Sequence, residues 1–183
     1  MNPRAPRLPA AGPCDVMVGR LARTPSELER LIGACEPAVV WRRPEPKSWS
    51  ATEIICHLRD VEMLFQIRFH TILAVDEPII LVLGAQPEHF VPWRFGARHP
   101  LDPSVWAEER QYARSDPFDA LAAFRQRRAE VVTFLGGLSE DEWQRGGIHL
   151  ARGRLTLVQW TASLAGHDDN HLAQLARALE GRA

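Results

Sequence analysis

An all-α fold in a single domain is what the sequence predicts, on three observations. Helix-start signals recur along the chain, no Asn-Gly or Asp-Gly hairpin turn interrupts them, and apolar residues repeat at helical spacing. A chain of 183 residues is long enough for one core and short for two.

Residues 1–14, with Pro3, Pro6, Pro9 and Pro13, read as a disordered or loosely docked tail, and residues 15–183 as the domain. Thr24-Pro25-Ser26-Glu27 offers an N-cap, a proline at the first helical position and a capping-box glutamate, predicting a helix to about Cys35. Ser50-Ala51-Thr52-Glu53 repeats the box and predicts a long second helix to about Val75. Residues 76–103 carry Pro78, Pro87, Pro92, Pro100 and Pro103, which exclude a single helix. They read as a long crossover, in which Ile79 to Leu83 suits a short strand without an evident partner. A connection of this length is often a lid or binding loop, and equally often a plain surface excursion. A short helix over roughly Val105 to Arg114 follows. Asp116-Pro117 opens the next long helix, which runs to Gly136-Gly137. Ser139-Glu140-Asp141-Glu142 starts one helical turn, and Thr156-Leu157-Val158-Gln159 opens the last long helix, to about Glu180.

A formal net charge of -1 gives no reason to expect a nucleic-acid partner. Lys47 is the only lysine among many arginines, as a GC-rich genome would produce. Cys14, Cys35 and Cys56 form no CxxC pair, which suits reduced thiols in a cytoplasm. The expectation is a cytoplasmic protein, because neither a signal-peptide core nor an apolar run of about 20 residues is found.

Chemistry points to the histidines. Ile54, Leu58, Val61, Phe65 and Ile72 form the apolar stripe of the helix that begins at Ala51, with His57 on its edge. Leu157, Trp160, Leu164, Leu175 and Ala178 define the buried side of the last helix, and His167 and His171 fall on it one turn apart. Such an i, i+4 pair converges on one point, and a third imidazole from a neighbouring antiparallel helix would complete an open, three-ligand metal site. The same spacing also suits core histidines that are merely hydrogen-bonded. The intervening Asp168, Asp169 and Asn170 exclude the H-E-x-x-H helix of common zinc proteases.

The run Trp49-Ser50-Ala51-Thr52-Glu53 through His57-Leu58, with Asp60, Glu62 and Arg68 following, resembles the second helix of the DinB/YfiT-like superfamily. So does Gly153 to Leu157 followed by His167-Asp168-Asp169-Asn170-His171 and Gln174, with Tyr112, Phe124, Arg128, Leu135 and Trp143 similar in order between them. The resemblance spans roughly residues 20–180. It implies an up-down-down-up four-helix bundle, commonly dimeric, with a divalent metal held by His57, His167 and His171. Characterised branches are thiol-dependent S-transferases, a mycothiol-dependent isomerase and proteins assigned as metal hydrolases. The crossover, longer and richer in proline and aromatics than usual, is where this chain departs from the pattern.

Asp60, one turn beyond His57, is the candidate catalytic residue: it would orient a ligand imidazole or act as a base, unless it is a solvated carboxylate. Asp168 and Gln174 suit the support of neighbouring ligand imidazoles or, more simply, a surface role. Arg68 and Arg128 suit inter-helix ion pairs better than substrate binding. Cys56 points about 100° from His57 and reads as packing. His70, His89, His99 and His149 have no partner at metal spacing. Two functions follow. One is a metal-dependent enzyme in which Zn²⁺ or Ni²⁺ activates water for hydrolysis, or a low-molecular-weight thiol for transfer, on a small-molecule substrate. The other is a non-catalytic bundle tied or merely filled by the histidines. A homodimer is expected under either.

Overall fold

The computed structural model describes residues 12–80 and 102–183. The tail before Gly12 and most of the proline-rich crossover therefore lie outside the described residues. Four long helices form the bundle: α1 (Pro13–Gly33), α3 (Ala51–Ala74), α5 (Pro117–Gly136) and α7 (Leu157–Leu179). Between them come α2 (Pro37–Trp41), β1 (Ile79–Ile80), α4 (Pro103–Glu109), a 3-10 turn (Tyr112–Arg114), α6 (Glu140–Gln144), β2 (Gly146–His149) and β3 (Gly153–Thr156).

Two apolar clusters fix the helix directions. One gathers Leu28 and Ile32 of α1, Ile54 and Ile55 of α3, Leu121 and Phe124 of α5, and Leu172 and Leu175 of α7. The other gathers Leu21, Phe65, Phe69, Val131, Leu135, Trp160 and Leu164. The ends of α1 and α7 thus meet the starts of α3 and α5, giving the up-down-down-up order. The predicted caps hold α3, α6 and α7. Ser50 Oγ accepts the Glu53 N–H at 3.3 Å, and Glu53 Oε2 accepts the Ser50 N–H at 2.9 Å. Ser139 with Glu142 and Thr156 with Gln159 repeat the arrangement.

At Thr24-Pro25 the structure corrects the expectation. Here α1 already begins at Pro13 and runs through Pro25 without stopping. Proline in a helix interior leaves the carbonyl four residues earlier without its donor. That carbonyl belongs to Leu21, and Arg128 Nη1 supplies a substitute hydrogen bond at 2.9 Å. A local capping signal is overridden by a tertiary donor.

The strand at Ile79 does find a partner. β1 pairs in parallel with β2, which pairs antiparallel with β3, in one small sheet. Gly147 makes the close approach workable, since a Cβ there would fall 2.6 Å from Ile80 Cγ1. No helix among the described residues is long and apolar enough to cross a membrane.

Candidate metal centre

The amino-terminal half of α3 is buried on nearly every side, because α2, α4, the 3-10 turn, α5 and α7 all pack around it. This places His57 inside the bundle, 3% exposed, facing the C-terminal half of antiparallel α7. His57 Nε2 and His167 Nε2 are 3.1 Å apart. One ring nitrogen from each of His57, His167 and His171 lies within 4.8 Å of the other two. Among the described residues this group comprises those three side chains alone.

Tautomers follow from the hydrogen bonds. His171 Nδ1 donates to Gln174 Oε1 at 2.8 Å, which leaves the lone pair on Nε2. His57 and His167 turn their Nε2 atoms to each other, while their buried Nδ1 atoms have no hydrogen-bond partner among the described residues. Burial, reinforced by the His171 charge, pulls the His57 pKa down to about 3, with Asp60 acting weakly the other way. Burial also takes His167 well below its usual value, helped by His171 and His57. His171 is lowered by burial against the pull of its Gln174 hydrogen bond. All three are therefore neutral at pH 7, the ligating form of imidazole.

This donor set fits a divalent ion. Tetrahedral Zn–N bonds of about 2.0–2.1 Å place nitrogens roughly 3.3 Å apart, close to the 3.1 Å found between His57 and His167. Three protein ligands leave at least one coordination position for a small molecule, as catalytic zinc sites do.

Beneath the triad lies a buried ionic layer between the two apolar clusters. Arg128 Nε and Nη2 donate to the two Glu62 oxygens at 2.7 and 2.6 Å, and Nη1 donates to Asp168 Oδ2 at 2.5 Å. Thr24 Oγ1 donates to that same Asp168 oxygen at 2.8 Å. Thus one side chain from each of α1, α3, α5 and α7 joins a single network. Burial raises the Glu62 pKa, opposed by Arg128. On Arg128, burial is outweighed by the Glu62 hydrogen bond and the Asp168 charge, and its pKa rises. Sequence reasoning leaned to a surface role for Asp168, whereas it is 1% exposed. Its ion pair with Arg128, made from between His167 and His171, fixes the rotation of α7.

Asp60 is fully buried and engaged elsewhere. Its Oδ1 accepts from Arg59 Nε at 2.8 Å, and its Oδ2 accepts from Tyr112 Oη at 2.7 Å and lies 3.2 Å from Arg110 Nε. Burial and this carboxylate together push the Tyr112 hydroxyl pKa up. Arg68 is 6% exposed, with its guanidinium carbon 4.6 Å from the Phe65 ring and 5.3 Å from the Trp160 ring. Burial pulls its pKa down to about 10. Cys56 is core, as read. Trp49, which opens the family-like run and reads from sequence as a core or loop anchor, sets its ring centroid 5.0 Å from that of His57. Gln174, for which the sequence favours a surface role despite its place in the family-like run, instead accepts the His171 N–H.

Three imidazoles converge between antiparallel helices of a four-helix bundle, a group that could hold a metal ion. The profile of the DinB superfamily matches residues 20–175, and the chain belongs to that superfamily. It is similar to YfiT of Bacillus subtilis (strain 168), at 20% identity over 162 residues that cover 88% of this chain and 81% of that one. The solved structure of YfiT superposes with a TM-score of 0.76 at 19% identity, covering 100% of this chain and 95% of that one. YfiT is described as a probable metal-dependent hydrolase with an unusual four-helix bundle topology.

Proposed function

We propose that this chain is a metal-dependent hydrolase of small molecules, with a divalent ion, zinc or nickel, held by His57, His167 and His171. The observation that carries the reading is the convergence of three neutral imidazoles on one point, the donor set of an open divalent-ion site. When bound, such an ion acts as a Lewis acid and lowers the pKa of a coordinated water. The remaining work falls to the chain. Gln174 fixes the His171 tautomer, the ionic layer fixes the rotation of α7, and Trp49 excludes water from one side of His57. Asp60 serves as a positioning residue: anchored by Arg59 and Tyr112, it secures the turn of α3 that carries His57.

A low-molecular-weight thiol in place of water would make the same site a transferase. Hydrolysis is preferred because YfiT is described in those terms. The test begins with elemental analysis of protein purified without a histidine tag, then supplied with Zn²⁺, Ni²⁺ and Mn²⁺. A panel of chromogenic esters, amides and phosphoesters, and one of thiol acceptors, follows with and without chelator. Expected are about one ion per chain and a hydrolysis that chelator abolishes and metal restores. Single His57→Ala, His167→Ala and His171→Ala variants should lose the ion, and His70→Ala and His149→Ala should keep it. Retention of no ion by wild type would make the triad a set of core histidines and remove the proposed chemistry.

A further inference from the structure

Beside the centre, His171 and Gln174 form one wall of a cleft of about 370 Å³. Lys47, Trp49, Arg177 and Arg182 line it with them, and no acidic side chain does. Arg182 is ion-paired with Glu180, whereas neither Lys47 nor Arg177 has an ion-pair partner among the described residues. Arg182 reaches the cleft because the chain doubles back after α7. Gly181 adopts φ +77, its N–H donates to Ala178 O at 3.0 Å, and the Arg182 N–H donates to Arg177 O at 2.9 Å. Such a helix stop needs the left-handed conformation that glycine takes without strain.

A simpler account explains part of this. Cations near the end of a helix are favoured by its dipole, by roughly 0.3–1 kcal/mol each. It covers Arg177 and Arg182 and leaves out Lys47, which comes from the connection between α2 and α3. A neighbouring cleft of about 500 Å³ shares Lys47 and Trp49, yet Glu53 and Glu108 line it and offset two of its three cations, Arg43, Lys47 and Arg114. The cleft without an acidic side chain in its lining is the one that reaches His171.

We infer that this cleft receives the anionic end of the substrate, a carboxylate or phosphate held by Lys47 and Arg177, with Trp49 packed against the intervening chain. This rests on the hydrolase reading for the reacting end and on the cleft alone for the anion. Arginine's planar fork matches either anion, and lysine adds a mobile charge. Arg177 lies six residues beyond His171, about 9 Å along the axis at 1.5 Å per residue. The charged group and the scissile bond are therefore several bonds apart, as in a medium-chain diacid monoester.

Two esters of equal length separate the charge from the chain: mono-4-nitrophenyl suberate and 4-nitrophenyl octanoate. With metal-loaded full-length protein, kcat/KM should favour the suberate ester. The Lys47→Gln/Arg177→Gln double variant, with wild-type metal content, should lower that preference about tenfold or more, the worth of one or two charge-assisted hydrogen bonds. An unchanged preference overturns the inference. Calorimetric titration with suberate and with inorganic phosphate supplies an arm that needs no turnover, and the tighter probe identifies the anion class. Binding of at least one probe, weakened about tenfold or more in the double variant, supports the subsite. Equal affinity in both proteins, or no binding of either probe, overturns it. If neither ester is cleaved and the chromogenic panel is also inert, the hydrolase reading fails and the titration still decides the cleft.

Discussion

A neutral imidazole has one lone pair and one N–H, and the N–H must be disposed of before the lone pair is aimed. His171 solves this with Gln174, the only one of the triad whose Nδ1 has a hydrogen-bond partner among the described residues. Removing that acceptor frees the ring to turn and lowers its basicity. Gln174→Leu is therefore expected to weaken metal affinity by about 10- to 100-fold, the usual cost of losing such support. Competition titration with a chromogenic chelator measures it, and affinity equal to wild type would count against the orienting role. Asp60→Asn should behave differently. The amide keeps an acceptor for Tyr112, so metal content should remain near wild type while the Tyr112 and Arg59 contacts weaken.

At the scale of the helices, the ionic layer decides how the bundle is assembled. Arg128 carries the only positive charge in contact with the Glu62 and Asp168 carboxylates among the described residues, and all three side chains are at most 1% exposed. Arg128→Met would leave two carboxylates without a cation and Leu21 O without a donor. Breaking a buried pair this way costs about 3–5 kcal/mol. Urea unfolding of the metal-free variant should show a loss of that size, and a loss under about 1 kcal/mol would mean that water compensates the layer. The same layer explains what the sequence concealed. Thr24-Pro25-Ser26-Glu27 reads as a helix start because the missing proline N–H and the threonine hydroxyl both suit a cap. What compensates them is distant: Arg128 donates to Leu21 O from 107 residues away, and Asp168 accepts the Thr24 hydroxyl from 144 residues away. Local signals were sufficient for α3, α5 and α7, whose caps close within three residues, and for His167 and His171, whose spacing is helical. They were insufficient for β1, whose partner lies more than sixty residues on.

For the molecule as a whole, the buried histidines link stability to pH. In the unfolded chain an imidazole takes a proton near 6.5, whereas His57 in the fold does so only near 3. Between those values the unfolded state binds more protons, so stability falls as pH falls. The contribution is complete above about pH 6.5 and ebbs down to the folded value. At pH 5 His57 alone should cost the metal-free protein about 2 kcal/mol relative to pH 7.5. Carboxylates also titrate in this range, so the informative quantity is the difference between wild type and His57→Leu. Wild type should lose more stability than the variant between pH 7.5 and 5, and parallel losses would show that His57 is solvated in the metal-free state. A bound ion reverses the balance near neutrality, since it stabilises only the fold that assembles its ligands from α3 and α7. Excess Zn²⁺ at about 100 times its dissociation constant should add roughly 2.7 kcal/mol to wild type at pH 7.5. That increment should shrink at pH 5, where protons compete for the ligands. It should be strongly reduced in His57→Leu, which retains only the two ligands on one helix.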